Sequence, residues 1–310
     1  MSKKDSTIIN MDDLRIDFEF INFEENPDGS LIAYATPNSE RYELKEINGE
    51  IGYWDKFNKF FIPSNVCNEI GKKMMACPIH PPISKIENLE EYFNERYSIL
   101  NKYFEDTIDY DFSTSENLLA QFDESDTFFN FISIDMVEST KRSRVLNSKI
   151  NSQVNRLFLN EISSIIRLYG GHIFKYEGDG LLAFYTYNNI LNKIDNSLES
   201  LIVIKVFIKN FLNKYLEDKG IPKISFRIGV NFGSCYVANF GEKNELYGHD
   251  LDITCKIQKF ASENQIIVGT NLVKLTHTEW RKRLKKIKIN KRKLKQNGLD
   301  ENMELYELKE

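Results

Sequence analysis

The chain is short of the features that mark secreted, membrane-spanning or fibrous proteins. Cysteine occurs only four times in 310 residues, at Cys67, Cys77, Cys235 and Cys255, and no two form a Cys-x-x-Cys pair. A disulfide framework is therefore excluded, and reduced, buried thiols in a cytoplasmic protein are expected. Cys67, Cys77 and His80 lie close enough in sequence to suggest zinc, but no fourth ligand accompanies them. Proline (7) and glycine (15) are scarce, which argues against long disordered or collagen-like stretches. Long hydrophobic runs are lacking too. The most apolar stretch, LIVIKVFIKNFL, is short and carries two lysines, so it reads as a buried helix face rather than a membrane span. The opening MSKKDSTIINMDDLRIDFEF has no apolar core followed by a small-residue cleavage site, and no signal peptide is expected. Neither sign of charge dominates. The formal net charge of −5 gives no electrostatic case for nonspecific nucleic-acid binding, leaving only a local basic patch as a route, and no nucleic-acid partner is expected.

What is present is the composition of a globular protein, with 41% hydrophobic, 28% charged and 13% aromatic residues. Residues 1–83 read as a small mixed or β-rich region of unassigned role, in which Asn48-Gly49 between apolar and aromatic runs predicts a hairpin. ACPIHPPIS then breaks regular structure with its prolines. Residues 84–126 read as a helical connector. Ser84 and Glu87 have capping-box spacing, and Leu89, Phe93, Leu100 and Phe104 recur at helical intervals. That helix either packs on its own domain or pairs with its copy in a dimer, and the short period favours the first.

From 127 to 310 strands alternate with helices. FFNFISID is an apolar strand, followed by a helix over 148–168 with Val154, Leu157, Phe158, Ile162 and Ile165 on one face. HIFKYE and LLAFYTY form a hairpin turning at Gly178-Asp179-Gly180, and a second long helix covers 190–217. SFRIGVNFG and SCYVANF are predicted as a strand pair, with a helix near 250–262 and strands at QIIVG and MELYELK after it. The order implies an α/β (α+β) domain, a mixed sheet with helices packed on it.

Two acidic residues stand where packing does not require them. Asp135 ends the strand FFNFISID, and Asp179 sits at the tip of KYEGDGLLAF. If those strands are neighbours, both carboxylates project from one edge of the sheet. Close carboxylates repel, and a divalent cation relieves the repulsion. Two cations about 4 Å apart can hold a triphosphate and activate an attacking hydroxyl. Asp-Gly is also a common hairpin dipeptide, so Asp179 taken alone is equally a turn residue.

DMVEST after an apolar strand, KYEGDG with its Asp179 lying 44 residues beyond Asp135, and then YGHDLDITCKIQ together resemble the class III nucleotidyl cyclase catalytic domain. The resemblance runs from about residue 127 to the terminal strand YELKE. It implies a ferredoxin-like, palm-type mixed sheet that closes a nucleoside triphosphate into a 3′,5′-cyclic mononucleotide and pyrophosphate, using two divalent cations, Mn²⁺ or Mg²⁺. On matching positions it implies Asp135 and Asp179 as metal ligands with the Met136 carbonyl as a further contact. Lys175 and nearby Glu245 would read the base. Asp252 stands where the family has a ribose-orienting asparagine, and Lys256 where it has an arginine that steadies the triphosphate. A head-to-tail homodimer with shared active sites is implied as well.

The departures have physical consequences. An ionised Asp252 accepts hydrogen bonds but cannot donate one to the ribose ring oxygen, and it is spaced to pair with Lys256 at i,i+4. Lys256 keeps the charge of arginine and loses its planar fork. Glu138 replaces a glycine in the phosphate-binding turn, where its charge opposes the triphosphate unless it points away. The variant motifs are most similar to the bacterial Pycsar uridylate and cytidylate cyclases, which implies UTP or CTP as substrate with UTP first, a second messenger in antiphage defence, and an effector that reads it. Lys175 can donate to uracil O4 while Glu245 accepts from N3–H, but the same pair suits adenine, so an adenylate cyclase is the alternative. A weak nucleotide-sensing module is another, and a diguanylate cyclase is disfavoured because KYEGDG is not GGDEF. Tyr169 and Tyr176 flank this region and would narrow a pocket to pyrimidine size, with ordinary packing as the competing explanation.

Overall fold

The computed structural model describes residues 16–29, 31–76, 86, 88–105, 108–122, 124–186, 190–241 and 243–310. The chain divides into two compact units. One comprises Met1–Pro81 with Lys274–Lys282, the other Pro82–Val273 with Arg283–Glu310. Among the described residues no helix is long and apolar enough to cross a membrane.

In the first unit β1 (Phe18–Glu25) pairs antiparallel with β2 (Leu31–Pro37), and β3 (Tyr42–Ile47), β4 (Glu50–Asp55) and β5 (Phe60–Pro63) form a meander followed by helix α1 (Ser64–Ala76). The expected hairpin at Asn48-Gly49 is β3–β4. Both turn residues have positive φ, +56° and +79°, the backbone twist that two-residue hairpins require. Ile16, Tyr42, Ile62, Cys67 and Ile70 make the core. Burial pushes the Cys67 thiol up to about 11, which keeps it protonated. Cys77 and His80, its suggested zinc partners, lie outside the described residues.

A buried ionic knot ties Lys274–Lys282 into this unit. Arg41 binds Asp17 and Asp55 at 2.9 Å each, with all three side chains at most 2% exposed. The same guanidinium donates to the Thr276 carbonyl at 3.2 Å, and Asp17 accepts from the Thr278 N–H and hydroxyl at 2.9 and 2.7 Å. One cation between two carboxylates leaves an excess negative charge, and the Thr278 donors stabilise it.

The second unit opens with α2 (Leu89–Phe104). Its N-cap is Asn88, whose side chain accepts from the Glu90 and Glu91 N–H groups at 3.1 and 3.2 Å. The cap thus lies four residues beyond Ser84, where the capping-box spacing put it; Ser84 and Glu87 lie outside the described residues. Phe93 and Leu100 are buried, Arg96 ion-pairs with the fully buried Glu161, and Phe93 meets Phe207 and Phe211 at 5.4 and 4.0 Å. The helix is thus a packed member of its own domain.

Apart from several short helical segments, the elements that follow are β6 (Ser125–Met136), α3 (Ser148–Leu168), β7 (His172–Glu177), β8 (Gly180–Thr186), α4 (Ile190–Phe207), β9 (Phe226–Asn239), β10 (Asn244–Tyr247), α5 (His249–Gln258), β11 (Gln265–Gly269), β12 (Leu284–Lys286) and β13 (Leu305–Leu308). They build one mixed sheet in the order β12-β13-β11-β9-β6-β8-β7, with β10 added to the far end of β9. Only β11–β9 is parallel. Helices α3 and α4 pack on the β7–β8 end, and α5 lies against β9 and β6. The α/β mixed-sheet architecture expected from the sequence is present.

One expectation fails. The predicted pair SFRIGVNFG and SCYVANF is a single strand of 14 residues, β9, that passes through Gly233 without turning. Its glycines serve close approach instead. A Cβ on Gly229 would lie 2.5 Å from the Gln258 backbone nitrogen, and one on Gly233 would meet the Asp250 carboxylate at 2.0 Å. Helix α5 therefore sits on bare backbone, as strand glycines often permit. Replacing Gly229 with alanine forces two main chains apart. We expect Gly229→Ala to destabilise the protein by about 3 kcal/mol, the upper end of overpacking costs, as read from urea unfolding; a loss below about 1 kcal/mol would show that the contact can relax.

Candidate active site

A single register row crosses the sheet at the end of β6. Asp135 lies directly opposite Gly180 of β8 on one side and Arg227 of β9 on the other, and Gly180 lies opposite Glu177 of β7. Opposed residues share a face of the sheet. One face thus carries Glu177, a gap at Gly180, Asp135 and Arg227. The gap cannot be filled, because a Cβ on Gly180 would lie 2.5 Å from the Ile134 carbonyl oxygen. Only Gly178 (φ +64°) and Asp179 link β7 to β8. This two-residue turn delivers Asp179 to the edge where Asp135 ends its strand.

Arg227 was not foreseen from sequence, yet it organises the row. Its Nη2 donates to Asp135 Oδ2 at 2.7 Å, with both side chains about one-third exposed (33% and 32%). Its Nε is buried and has no hydrogen-bond partner. An unsatisfied donor beside the Asp135 carboxylate is costly, and an anionic group such as a phosphate oxygen would satisfy it. Beyond Met136 a short helix, Ser139–Val145, buries Arg142. Its guanidinium donates to Met136 Sδ, Asn155 and, at 3.0 Å, Asn151. Burial lowers the Arg142 pKa from its ordinary value, while the Asp179 charge acts in the opposite sense. Glu138, before that helix, adopts φ +57°, the left-handed region that a glycine would occupy most easily. Its carboxylate turns to Lys141, both of them exposed, so its charge is locally offset.

Among the described residues no cluster of three His, Cys, Asp or Glu side chains is poised on a metal. The available donors are the Asp135 and Asp179 carboxylates and the backbone oxygen of Met136. These are hard oxygen ligands suited to Mg²⁺ or Mn²⁺ completed by water and phosphate oxygens. With the open position at Gly180 and the orphan donor of Arg227, the residues fit a cation–triphosphate group.

One row deeper on the same face, Lys175 opposes Leu182, which opposes Ser133. The register skips Phe174, a bulge that re-aims the strand. Lys175 Nζ is 2.9 Å from Glu177 Oε1. That bond, with the charges of Glu245 and Cys255, raises the lysine pKa against the effect of burial. The structure therefore brings Lys175 and Glu245 into electrostatic reach, and adds Glu177, which sequence reasoning missed. Glu245, on β10, lies in an open hollow with Phe240, Lys243 and Tyr247. Asp252 is exposed in the first turn of α5. Of the two roles open to it, accepting from a hydroxyl or pairing with Lys256, the second does not form. Lys256 Nζ instead donates to the Gly298 carbonyl at 3.4 Å.

The two tyrosines are corrected. Tyr169 is 1% exposed in the interior, where burial raises its hydroxyl to about 12 with the Glu199 charge adding to the effect. Tyr176 neighbours Lys175 on a strand and so points to the opposite face. There it accepts from Arg167 at 3.2 Å and meets Phe112 edge-on at 5.2 Å. Neither narrows a pocket around Lys175.

No protein-family model matches the chain. A cytidylate cyclase from Staphylococcus aureus is 28% identical over 180 residues, covering 54% of this chain and 40% of that protein. The chain thus spans less than half the length of the curated relative it matches. The adenylyl cyclase CyaB from P. aeruginosa superimposes with a TM-score of 0.52 at 18% identity, over 60% of this chain and 95% of that one. The guanylate cyclase domain of RhGC from Catenaria anguillulae, solved with GTP, gives 0.50 at 14% identity, over 59% and 97%. The second unit has the class III nucleotidyl cyclase fold, and the resemblance carried by its motifs is borne out.

A cation held by Asp135 would have to displace Arg227 from that carboxylate. In the free protein, Arg227→Gln should tighten Mn²⁺ binding measured by calorimetry roughly two- to fivefold, the scale of one partly exposed ion pair. Unchanged or weaker binding would remove Arg227 from that role.

Proposed function

We propose that this protein is a nucleotidyl cyclase that converts a nucleoside triphosphate, a pyrimidine in preference to a purine, into a cyclic mononucleotide and pyrophosphate. The observation that carries the reading is the row Asp135–Arg227 with Asp179 beside it: two carboxylates and an arginine with an unsatisfied donor on one sheet edge. Asp135, Asp179 and the Met136 carbonyl would hold two divalent cations, which would offset the triphosphate charge and make the ribose 3′-hydroxyl easier to deprotonate. Arg227 passes from Asp135 to phosphate oxygens, placing its fork and free Nε on the charge that grows as pyrophosphate departs. The 3′-oxygen bonds to the α-phosphorus, the bond from that phosphorus to the bridging oxygen breaks so that pyrophosphate leaves with the bonding electron pair, and the hydroxyl proton passes to solvent water. Lys256, held loosely at Gly298, supplies a further positive charge without bidentate geometry.

Base choice falls to Lys175, Glu177 and Glu245, a donor among acceptors. The pyrimidine preference rests on the motifs and on the cytidylate cyclase relative, not on the two tyrosines. A second-messenger role in antiphage defence, with an effector that reads the product, belongs to the same proposal and rests on the resemblance. With ATP, GTP, CTP and UTP in competition and Mn²⁺ present, mass spectrometry should find cyclic UMP or cyclic CMP as the main product. Dominant cyclic AMP or cyclic GMP would overturn the base assignment. Asp135→Asn and Asp179→Asn should each lower turnover at least a hundredfold, the order expected for an essential transition-state contact, with little change in thermal stability.

We also propose a head-to-tail homodimer with shared sites, in which the carboxylates of one copy work with Lys175 and Lys256 of the other. Asp135→Ala and Lys256→Ala, each inactive alone, should complement when mixed. Random exchange makes about half the molecules mixed dimers, each with one intact site, so roughly a quarter of sites recover. Proven subunit exchange with no recovered activity would rule out sharing.

A further inference from the structure

Residues 283–295 carry eight lysines and arginines and no acidic residue. Without them a chain of net charge −5 would stand at −13, so the small overall charge conceals a strongly basic strip. The strip runs from β12 at the sheet edge through a loop into a short helix, Lys291–Gln296, whose start is fixed by Asn290 accepting from the Arg292 N–H at 2.8 Å. Lys285, Lys288, Arg292 and Lys295 are exposed and, among the described residues, have no acidic partner. Lys291 reaches only the Asn302 amide oxygen, at 2.9 Å, and Lys293 lies over the Phe260 ring at 5.4 Å. Lys286 is offset by the carboxylate of Glu304.

We propose that this strip binds the phosphate backbone of double-stranded nucleic acid. Six cations that form no ion pair with a carboxylate among the described residues (Lys285 faces Glu307 across the sheet, but Glu307 is held by Lys309), on a backbone held by strand pairing and a helix cap, form a pre-ordered surface for a regular array of phosphates. The apolar residues of the strip do not point outwards. Ile287 and Ile289 pack on Leu294, Leu299 and Leu305, so no hydrophobic wedge remains to enter a lipid bilayer. Aromatic rings beside the strip are engaged as well, Phe260 under Lys293 and the Tyr306 hydroxyl on Glu304 at 2.7 Å. The exposed residues of the strip itself, Lys285 to Lys295, include no aromatic ring on which the bases of a single strand could stack, which favours a duplex read through its backbone.

The test is fluorescence anisotropy of labelled 20-base-pair DNA and RNA duplexes with the full-length protein. Binding of either duplex at 50 mM salt, weakening roughly a hundredfold or more by 200 mM, is expected for four or more phosphate contacts. The variant Lys285→Gln/Lys288→Gln/Arg292→Gln/Lys295→Gln should bind at least tenfold more weakly and reduce the logarithmic salt slope by roughly three to four. Its melting temperature and nucleotide turnover should stay unchanged, since none of the four serves the proposed active site. Three results would overturn the proposal: no duplex binding at 50 mM salt, duplex binding that the variant retains, or capture of phosphatidylserine vesicles in place of duplex. Displacement of the duplex by saturating UTP would also overturn it, because the strip would then serve the substrate triphosphate. Duplex binding needs no catalysis, so its outcome is separable from that of the cyclase assay.

Discussion

Strand β6 is paired along both edges, with β9 over its whole length from Ser125 to Met136 and with β8 from Phe129 to Asp135. Its register fixes every position in the candidate site. A slip of one residue would turn Asp135 to the opposite face and bring a side chain against the main chain at Gly180. Such a slip would also exchange the residues packed on the two buried faces, setting Phe129 and Phe131 where Asn130, Ile132 and Ile134 now pack. The hydrophobic pattern of the strand therefore secures the chemistry at its end. The apolar core and the charged row are two consequences of one pairing.

Charge is treated differently in the two units. In the first, Arg41, Asp17 and Asp55 are sealed from water, and their mutual hydrogen bonds are satisfied within the protein. Removing one partner would strand a buried charge, so the knot favours a single arrangement of Lys274–Lys282. In the second, Asp135 and Arg227 are partly exposed, one donor is left open, and the Asp179 charge acts on the buried Arg142. The first arrangement suits permanence. The second leaves room for an anionic ligand and its cations to exchange partners.

Much of this was legible in the chain. Asn48-Gly49, the helix over 148–168 and the hairpin at Gly178-Asp179 follow from turn chemistry and periodicity, which are local. Asp135 and Asp179 stood out because a carboxylate at a strand end or hairpin tip serves no core. Arg227 did not stand out, because an arginine opening a strand is unremarkable until the strand is paired. Glu177 stayed hidden for the same reason. Tyr169 and Tyr176 misled, since closeness in sequence says neither that Tyr169 caps a helix with its ring in the interior nor which face of β7 carries Tyr176.

The sequence by itself determined the element types, the mixed-sheet class and the two carboxylates, because these depend on near-neighbour patterns of polarity and backbone preference. Tertiary structure decided that β9 continues through Gly233, that Lys274–Lys282 joins the first unit, and that Arg227 and Glu177 share a row with Asp135. It also set Lys256 against Gly298 rather than Asp252. Each of these is a contact between residues far apart in the chain, and strand register and helix docking, not local propensity, choose such partners.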